Sequence, residues 1–192
     1  MQITPISFGR KIPRYTCQIQ NKTTGEYVPA TIYEYNCKDE SDIEEIKKLD
    51  RRWTFKKNIA HCMDVKHSVQ TLFHEKSNDS FFSMQVGKDI VGLAQICTLN
   101  GISNIDYITT KPRNPYKYVG QTLIAGIGKH ILKKDGYQMT VETAIDDAIP
   151  FYKKIGFKEF GDYIFRMNKA DIETLIEITE LQTEAPILDK RA

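Results

Sequence analysis

Apolar positions change their period several times along the chain, and each change marks an element. Residues 15–20 (YTCQIQ) alternate apolar and polar side chains, as a half-buried strand does. Residues 21–26 (NKTTGE) carry turn chemistry, and strand character resumes over residues 27–35, so a hairpin is expected. Ahead of it, residues 1–13 hold two prolines and no sustained period, which reads as an irregular lead-in. Ser41 with Glu44 three residues on is a capping-box signal, and Ile43, Ile46, Leu49 and Trp53 then share one helical face. A less regular stretch, residues 52–64, leads to a second expected helix over residues 66–76, with Val69, Leu72 and Phe73 inside. Residues 80–86 and 90–99 read as strands joined by a Gly87-Lys88-Asp89 turn. Asn100-Gly101 then turns the chain into a third strand over residues 102–110, completing an antiparallel meander.

The period lengthens after that. Pro112 and Pro115 break the run and bracket a loop. Beyond Gly120, Leu123, Ile124, Ile127, Ile131 and Leu132 fall at helical spacing, and the helix is expected to end at Gly136. Residues 138–143 form the next expected strand, and a short helix carrying Ile149, Tyr152 and Ile155 stops at Gly156. Strand, loop, helix, strand and helix make a βαβα unit, which implies parallel pairing through a crossover. Residues 158–166 read as one more strand or hairpin, broken at Gly161-Asp162. Asn168 caps a last helix over residues 169–181, with Ile172, Leu175, Ile176 and Leu181 as its apolar stripe. Six acidic residues from Ala170 onward give that helix a wet face, which suits a packing or dimer element. The tail from Thr183 is expected to be loose.

Composition narrows the class. With 192 residues, 41% hydrophobic and 27% charged, the chain suits one soluble domain with a sizeable core and small terminal additions. A net charge of +2 (27 basic less 25 acidic) gives little support to a nucleic-acid partner. Residues 1–13 lack the apolar core of a signal peptide, and no apolar run nears the ~18 residues of a membrane span. A cytoplasmic protein away from membranes is expected. Cys17, Cys37, Cys62 and Cys97 include no C-x-x-C pair and read as free thiols. His61, Cys62, His67 and His74 lack the spacing of a zinc site, so no metal is expected.

The loop over residues 116–122 brings backbone N–H groups and a helix N-terminus to the end of the strand over residues 102–110, and such a point binds phosphate. From Lys111 to Lys134 there are six basic residues and no Asp or Glu. A solvated basic helix face is the plainer alternative.

Two motifs in residues 104–157 carry a resemblance. Pro112 is followed eight residues on by Gly120, and a helix and a strand separate these from Ala148-Ile149-Pro150-Phe151-Tyr152-Lys153-Lys154-Ile155-Gly156-Phe157, which matches A-x-x-F-Y-x-x-x-G-F. The combination resembles the core of the GNAT superfamily of acyl-CoA-dependent N-acyltransferases. Two positions depart from that family's loop: Pro115 stands where Arg or Gln is usual, and Tyr118 where the first glycine is usual. A bulky Tyr reaches positive φ only at a cost.

The resemblance implies an α/β fold with a mixed (α+β) sheet, GNAT-like over residues 27–168. Residues 1–26 would be an N-terminal extension and hairpin arm, and residues 169–192 a C-terminal helix and tail. It implies acyl-CoA, in the first instance acetyl-CoA, as co-substrate, and an unidentified amine as acceptor. Donor contacts would come from Thr109 and Thr110 at the strand end and from Lys117, Tyr118, Val119, Gly120, Gln121 and Thr122 around the pyrophosphate. Tyr152 matches the family's general acid, and a core tyrosine is its alternative. The general base stays open between Asp106 and Glu142, either of which also reads as a plain surface acid. By the same likeness Phe55, His61 and Met63 would face the acceptor, with burial as the alternative. Two other functions compete. Pro115 and Tyr118 favour a GNAT-like interaction module with weak or no catalysis, and an acyltransferase with an RNA-borne acceptor would need a basic face that the charge balance does not indicate.

Overall fold

Among the described residues, a hairpin, a three-stranded meander, a single crossover strand and a second hairpin join edge to edge into one sheet of eight strands. The computed structural model describes residues 11–35, 42, 44–45, 79–142 and 146–183. The expected helices over residues 41–53 and 66–76, the candidates Phe55, His61 and Met63, the His61, Cys62, His67 and His74 group, Cys37, Trp53 and the tail beyond Thr183 lie outside the described residues.

The strands are β1 (Ile12–Gln20), β2 (Tyr27–Tyr35), β3 (Asp79–Val86), β4 (Asp89–Leu99), β5 (Ile102–Thr110), β6 (Gln138–Glu142), β7 (Lys158–Gly161) and β8 (Ile164–Asn168). Their spatial order is β1-β2-β3-β4-β5-β6-β8-β7. Among the described strands only β5 and β6 pair in parallel; the other neighbouring pairs are antiparallel. β1 starts at Ile12, so Ile12 and Pro13, the last two residues of the stretch expected to be irregular, belong to the sheet. The ambiguous stretch after Phe157 is a hairpin, β7 and β8, and the break at its middle is the turn.

Among the described residues the complete helices are α1 (Val119–Leu132), α2 (Ile149–Lys154) and α3 (Lys169–Thr183), with a 3-10 turn over Asp146–Ala148. α1 is the crossover between the two parallel strands. Leu123, Ile124 and Ile127 are fully buried on it against Ile32, Phe82, Met84 and Ala94 of the sheet. Its other flank is buried too, because α3 lies along it. Gly128 permits that approach: a Cβ there would stand 2.7 Å from Ile172 of α3. Gln121 donates to the Thr179 hydroxyl at 3.1 Å and to Gln182 Oε1 at 2.8 Å, and Lys129 pairs with Glu180 at 2.7 Å.

The apolar stripe of α3 differs from the expected one. Ile172 and Leu175 are buried, but Thr179 and Thr183 complete the buried face, and Leu181 is 70% exposed. Leu181 lies nine residues past Ile172, which at about 100° per residue turns it to the opposite side of the helix. α1 ends at Leu132, earlier than Gly136. Asp135 takes the left-handed conformation there (φ 60°), and the Gly136 N–H reaches back to the Ile131 carbonyl at 3.0 Å. Among the described residues no helix is long and apolar enough to cross a membrane. Cys17 and Cys97 are half-buried.

The α1–α3 contact generates a stability prediction. Leu175→Ala removes a buried side chain from it and should cost about 2–5 kcal/mol. Urea unfolding should show the midpoint falling with the slope unchanged. An unmoved midpoint would mean that α3 adds nothing to the stability of the sheet.

Candidate active site

The parallel ladder between β5 and β6 is short. It runs from Ile102↔Gln138 to Ile105↔Val141 and stops, while β5 continues to pair with β4 as far as Thr110. A bulge at the same level interrupts the β4–β5 register: Gln95 pairs with Tyr107 and Ile96 with Ile105, which leaves Asp106 as the extra residue. The two parallel strands therefore part above Ile105. The N-terminus of α1 and the side of α2 border the opening.

A cleft of about 530 Å³ occupies that place. Its walls are Ile108, Thr109 and Thr110 of β5, the loop residues Asn114, Tyr116 and Tyr118, and Val119, Gly120 and Gln121 at the start of α1. Ala148, Phe151, Tyr152, Lys154 and Ile155 form the α2 side, and Lys22 closes the rim from the β1–β2 turn. The volume falls in the range of small-molecule sites. No carboxylate lines the cleft among the described residues.

α1 enters this cleft without a side-chain cap and without an acid in its first turn. Its first N–H groups, those of Val119, Gly120 and Gln121, have no intrahelical acceptor by the geometry of a helix. The Thr122 N–H is different: it donates to the Tyr118 carbonyl at 2.8 Å, and its side chain is fully buried. Thr122 is therefore helix interior and not cleft wall. Gly120 leaves space beside those donors. A Cβ there would lie 3.2 Å from the Phe151 ring and 3.7 Å from the Thr110 methyl, across the width of the cleft. An elongated anion fits such a point, with its charge on the helix end and its body between β5 and α2.

Tyr118 is the N-cap residue, at φ 57° and ψ 16°. It takes the left-handed conformation that glycine adopts more readily. The loop ahead of it is tied to the β1–β2 turn. Lys22 N–H donates to the Pro115 carbonyl at 2.7 Å, Lys117 N–H donates to the Gln20 carbonyl at 2.9 Å, and Asn21 bridges to Tyr116.

The basic window read from the sequence is dispersed in space. Lys111 pairs with Asp89 at 2.6 Å, Lys129 with Glu180, and Lys134 approaches Glu34 at 3.9 Å. Lys117 Nζ donates to Gln20 Oε1 at 2.8 Å. None of the six lines the cleft, and the cations that do are Lys22 and Lys154. Neither belongs to the window. Lys154 lies two residues after Tyr152 on α2, so its place could have been read from the motif. Lys22 carries no sequence signal, because a turn nearly a hundred residues away gives no hint of its neighbour.

Tyr152 is buried at 5% exposure with one side on the cleft. Its ring lies edge-on to Phe151 and Phe157, at 5.3 and 5.6 Å between centroids, and stacks on Phe165 at 6.3 Å. Burial pushes its pKa up to about 12, so the hydroxyl keeps its proton at neutral pH. Asp106 and Glu142 come together, but elsewhere. They line a second cleft of about 590 Å³ with Asn104, Ile105, Asp146, Asp162 and Tyr163. Asn104 also donates a hydrogen bond to Asp106. The two clefts adjoin along β5, whose residues 104–106 line one and 108–110 the other.

The profile of the acetyltransferase (GNAT) domain matches residues 39–169, more than half of the chain. Among solved structures, a GNAT-family acetyltransferase from Desulfovibrio desulfuricans superposes with a TM-score of 0.56 at 16% identity, covering 73% of this chain and 99% of that one. The ribosomal-protein-S18-alanine N-acetyltransferase of Escherichia coli gives 0.53 at 12% identity, covering 72% and 93%. A GNAT acetyltransferase from Staphylococcus aureus gives 0.51 at 17%, covering 73% and 99%. At these identities the likeness is one of fold. No curated protein sequence matches the chain. The domain profile and the shared fold together make this chain a member of the GNAT acetyltransferase family, whose members use acyl-CoA.

Proposed function

We propose that this protein is an N-acetyltransferase that holds acetyl-CoA along the β5–α1–α2 cleft and passes its acetyl group to an amine. The reading rests on one coincidence: the uncapped N-terminus of α1, the open face of Gly120 and the hydroxyl-bearing Tyr152 share a cleft without carboxylates. Acetyl-CoA supplies an activated acyl thioester. The chain's part is to hold the phosphates, orient the acyl end and move protons. The N–H groups of Val119, Gly120 and Gln121 would hold the pyrophosphate, where a helix end carries roughly half a positive charge. Thr109 and Thr110 would border the acyl end, where backbone dipoles can polarise a carbonyl.

In the transfer a carbon–nitrogen bond forms and the carbon–sulfur bond breaks. The sulfur keeps the electron pair and takes the proton of the Tyr152 hydroxyl; the attacking amine gives up its surplus proton to a base. Asp106 and Glu142 are the candidates for that base, since both line the cleft that adjoins this one along β5. The competing reading as a non-catalytic module leans on Pro115 and Tyr118. The left-handed backbone of Tyr118 keeps the helix start open, which favours a working donor site.

Three measurements test the proposal. Gly120→Asp places a side chain and a negative charge among the phosphate donors, while an acid in the first turn of a helix favours the helix itself. Calorimetry should show CoA binding abolished, with circular dichroism checking that the variant stays folded although its Cβ presses on the Phe151 ring at 3.2 Å. Undiminished binding in that variant would put the donor elsewhere.

Tyr152→Phe keeps the ring and its three aromatic contacts and removes only the hydroxyl. Loss of a general acid costs about 10²–10⁴-fold in rate. The loss should fall on kcat and leave acetyl-CoA affinity unchanged, read with an amine panel or by slow acetyl-CoA hydrolysis. Wild-type turnover with chemistry limiting would dismiss the hydroxyl as the acid.

Asp106→Asn and Glu142→Gln, compared by pH–rate profile, separate the two carboxylates. The one that receives the proton should lower kcat/KM and lose the acidic limb of its profile when neutralised. If both variants keep that limb, the base lies outside this pair.

A further inference from the structure

We infer that Lys22, from the β1–β2 turn, is part of the donor site and contacts a phosphate of the bound nucleotide. This rests on the donor reading above and adds to it a residue from outside the GNAT domain match, which begins at residue 39. Three observations carry it. Lys22 lines the donor cleft, facing Gly120 and Gln121 within one set of walls. Its position is fixed from both ends, since its N–H donates to the Pro115 carbonyl at 2.7 Å and its ammonium to the Asn114 carbonyl at 2.9 Å. An ammonium carries three donors, and Asn114 takes one of them.

The third observation is the state of the other lysines. Lys111 and Lys129 are bound to carboxylates, Lys134 reaches toward Glu34 and Lys117 is bound to Gln20, and no Lys or Arg between residues 111 and 134 lines the cleft. Pro115, at the position where the family's loop carries Arg or Gln, has no side-chain hydrogen-bond donor to offer. A phosphate brought to the helix end would find Lys22 at the rim beside that proline. Lys154 lies on the α2 side with Tyr152, away from the turn that holds Lys22. The β1–β2 turn thus serves the cleft twice: its backbone holds the loop, and its lysine faces the ligand.

Lys22 is exposed, so its contribution is moderate and sensitive to salt. The test compares wild type, Lys22→Met, Lys22→Arg and Lys133→Met by calorimetry. The probes are CoA, CoA lacking the 3′-phosphate, and pantetheine, which has no phosphate. Lys22→Met should weaken CoA binding about threefold to tenfold at low salt, and less at about 0.5 M salt. It should leave pantetheine binding unchanged. Lys22→Arg should restore CoA affinity, and Lys133→Met, at the far end of α1, should match wild type. A loss that persists with the 3′-dephospho probe assigns the contact to the pyrophosphate, and a loss that vanishes with it assigns the 3′-phosphate. Equal CoA affinity in wild type and Lys22→Met overturns the inference while the donor reading stands. A loss shared equally by pantetheine also overturns it, because the effect is then on the loop. Wild-type protein that binds no CoA removes the donor reading and this inference together.

Discussion

The cleft exists because two parallel strands stay together for only four residue pairs. β5 and β6 are hydrogen-bonded from Ile102↔Gln138 to Ile105↔Val141, and above that level β5 keeps β4 as its neighbour. A parallel pair needs a crossover, and here the crossover is α1, which must start close to where β5 ends. The start of α1 is thereby delivered to the top of the opening. α2, which follows β6, closes the other side. The Asp106 bulge strengthens the divergence by twisting β5 where its partner leaves. No single side chain makes this site; the parting of the strands does, and the side chains occupy what it opens.

That arrangement asks much of α1. The helix must keep its N-terminus open to an anion while the rest of it is held firmly. It is held on both flanks. Leu123, Ile124 and Ile127 pack on the sheet, and α3 covers the opposite side through Ile172, Leu175 and the Gln121–Thr179 hydrogen bond. Gln121 joins the two demands in one residue. Its side chain is buried against α3, while its backbone N–H belongs to the first turn beside the cleft. The C-terminal helix is consequently tied to the donor site through Gln121, although it contributes no residue of its own to the cleft's lining.

The elements were legible wherever a local period decided them. Alternation marks β1, strand-forming runs between turn signals mark β2 through β5, helical spacing marks α1, and the Phe151–Phe157 motif marks α2 and its stop. Properties set by distant contacts were not legible. Leu181 looked apolar and so was placed in the buried stripe, but helix phase turns it outward and seats Thr179 and Thr183 inside. The basic window read as one patch, because sequence proximity says nothing of Asp89, Glu180 or Glu34, which engage its lysines from other elements. Lys22 was invisible for the converse reason. Tyr152 was legible as a motif position, and its aromatic cage of Phe151, Phe157 and Phe165 emerges only when β8 packs beneath α2.

Tyr118 and the added hairpin are best understood as one feature. A non-glycine residue in the left-handed region costs about 1–3 kcal/mol and persists only where its surroundings fix it. Here they do so on both sides. The Tyr118 carbonyl accepts the Thr122 N–H at 2.8 Å, which commits its ψ to the start of α1. The preceding residue, Lys117, is bound to β1 through its N–H and its ammonium, both onto Gln20, at 2.9 and 2.8 Å. With Lys117 anchored and Thr122 helical, the peptide between them has one way to turn, and it passes through positive φ at Tyr118. A loop with glycine at this place could reach the same path without such anchors. This loop, with proline at 115 and tyrosine at 118, is held to it by the β1–β2 hairpin, which precedes the residues that the GNAT profile matches. The departures from the family pattern and the extension of the sheet therefore compensate one another, and the helix start they share remains turned toward the cleft.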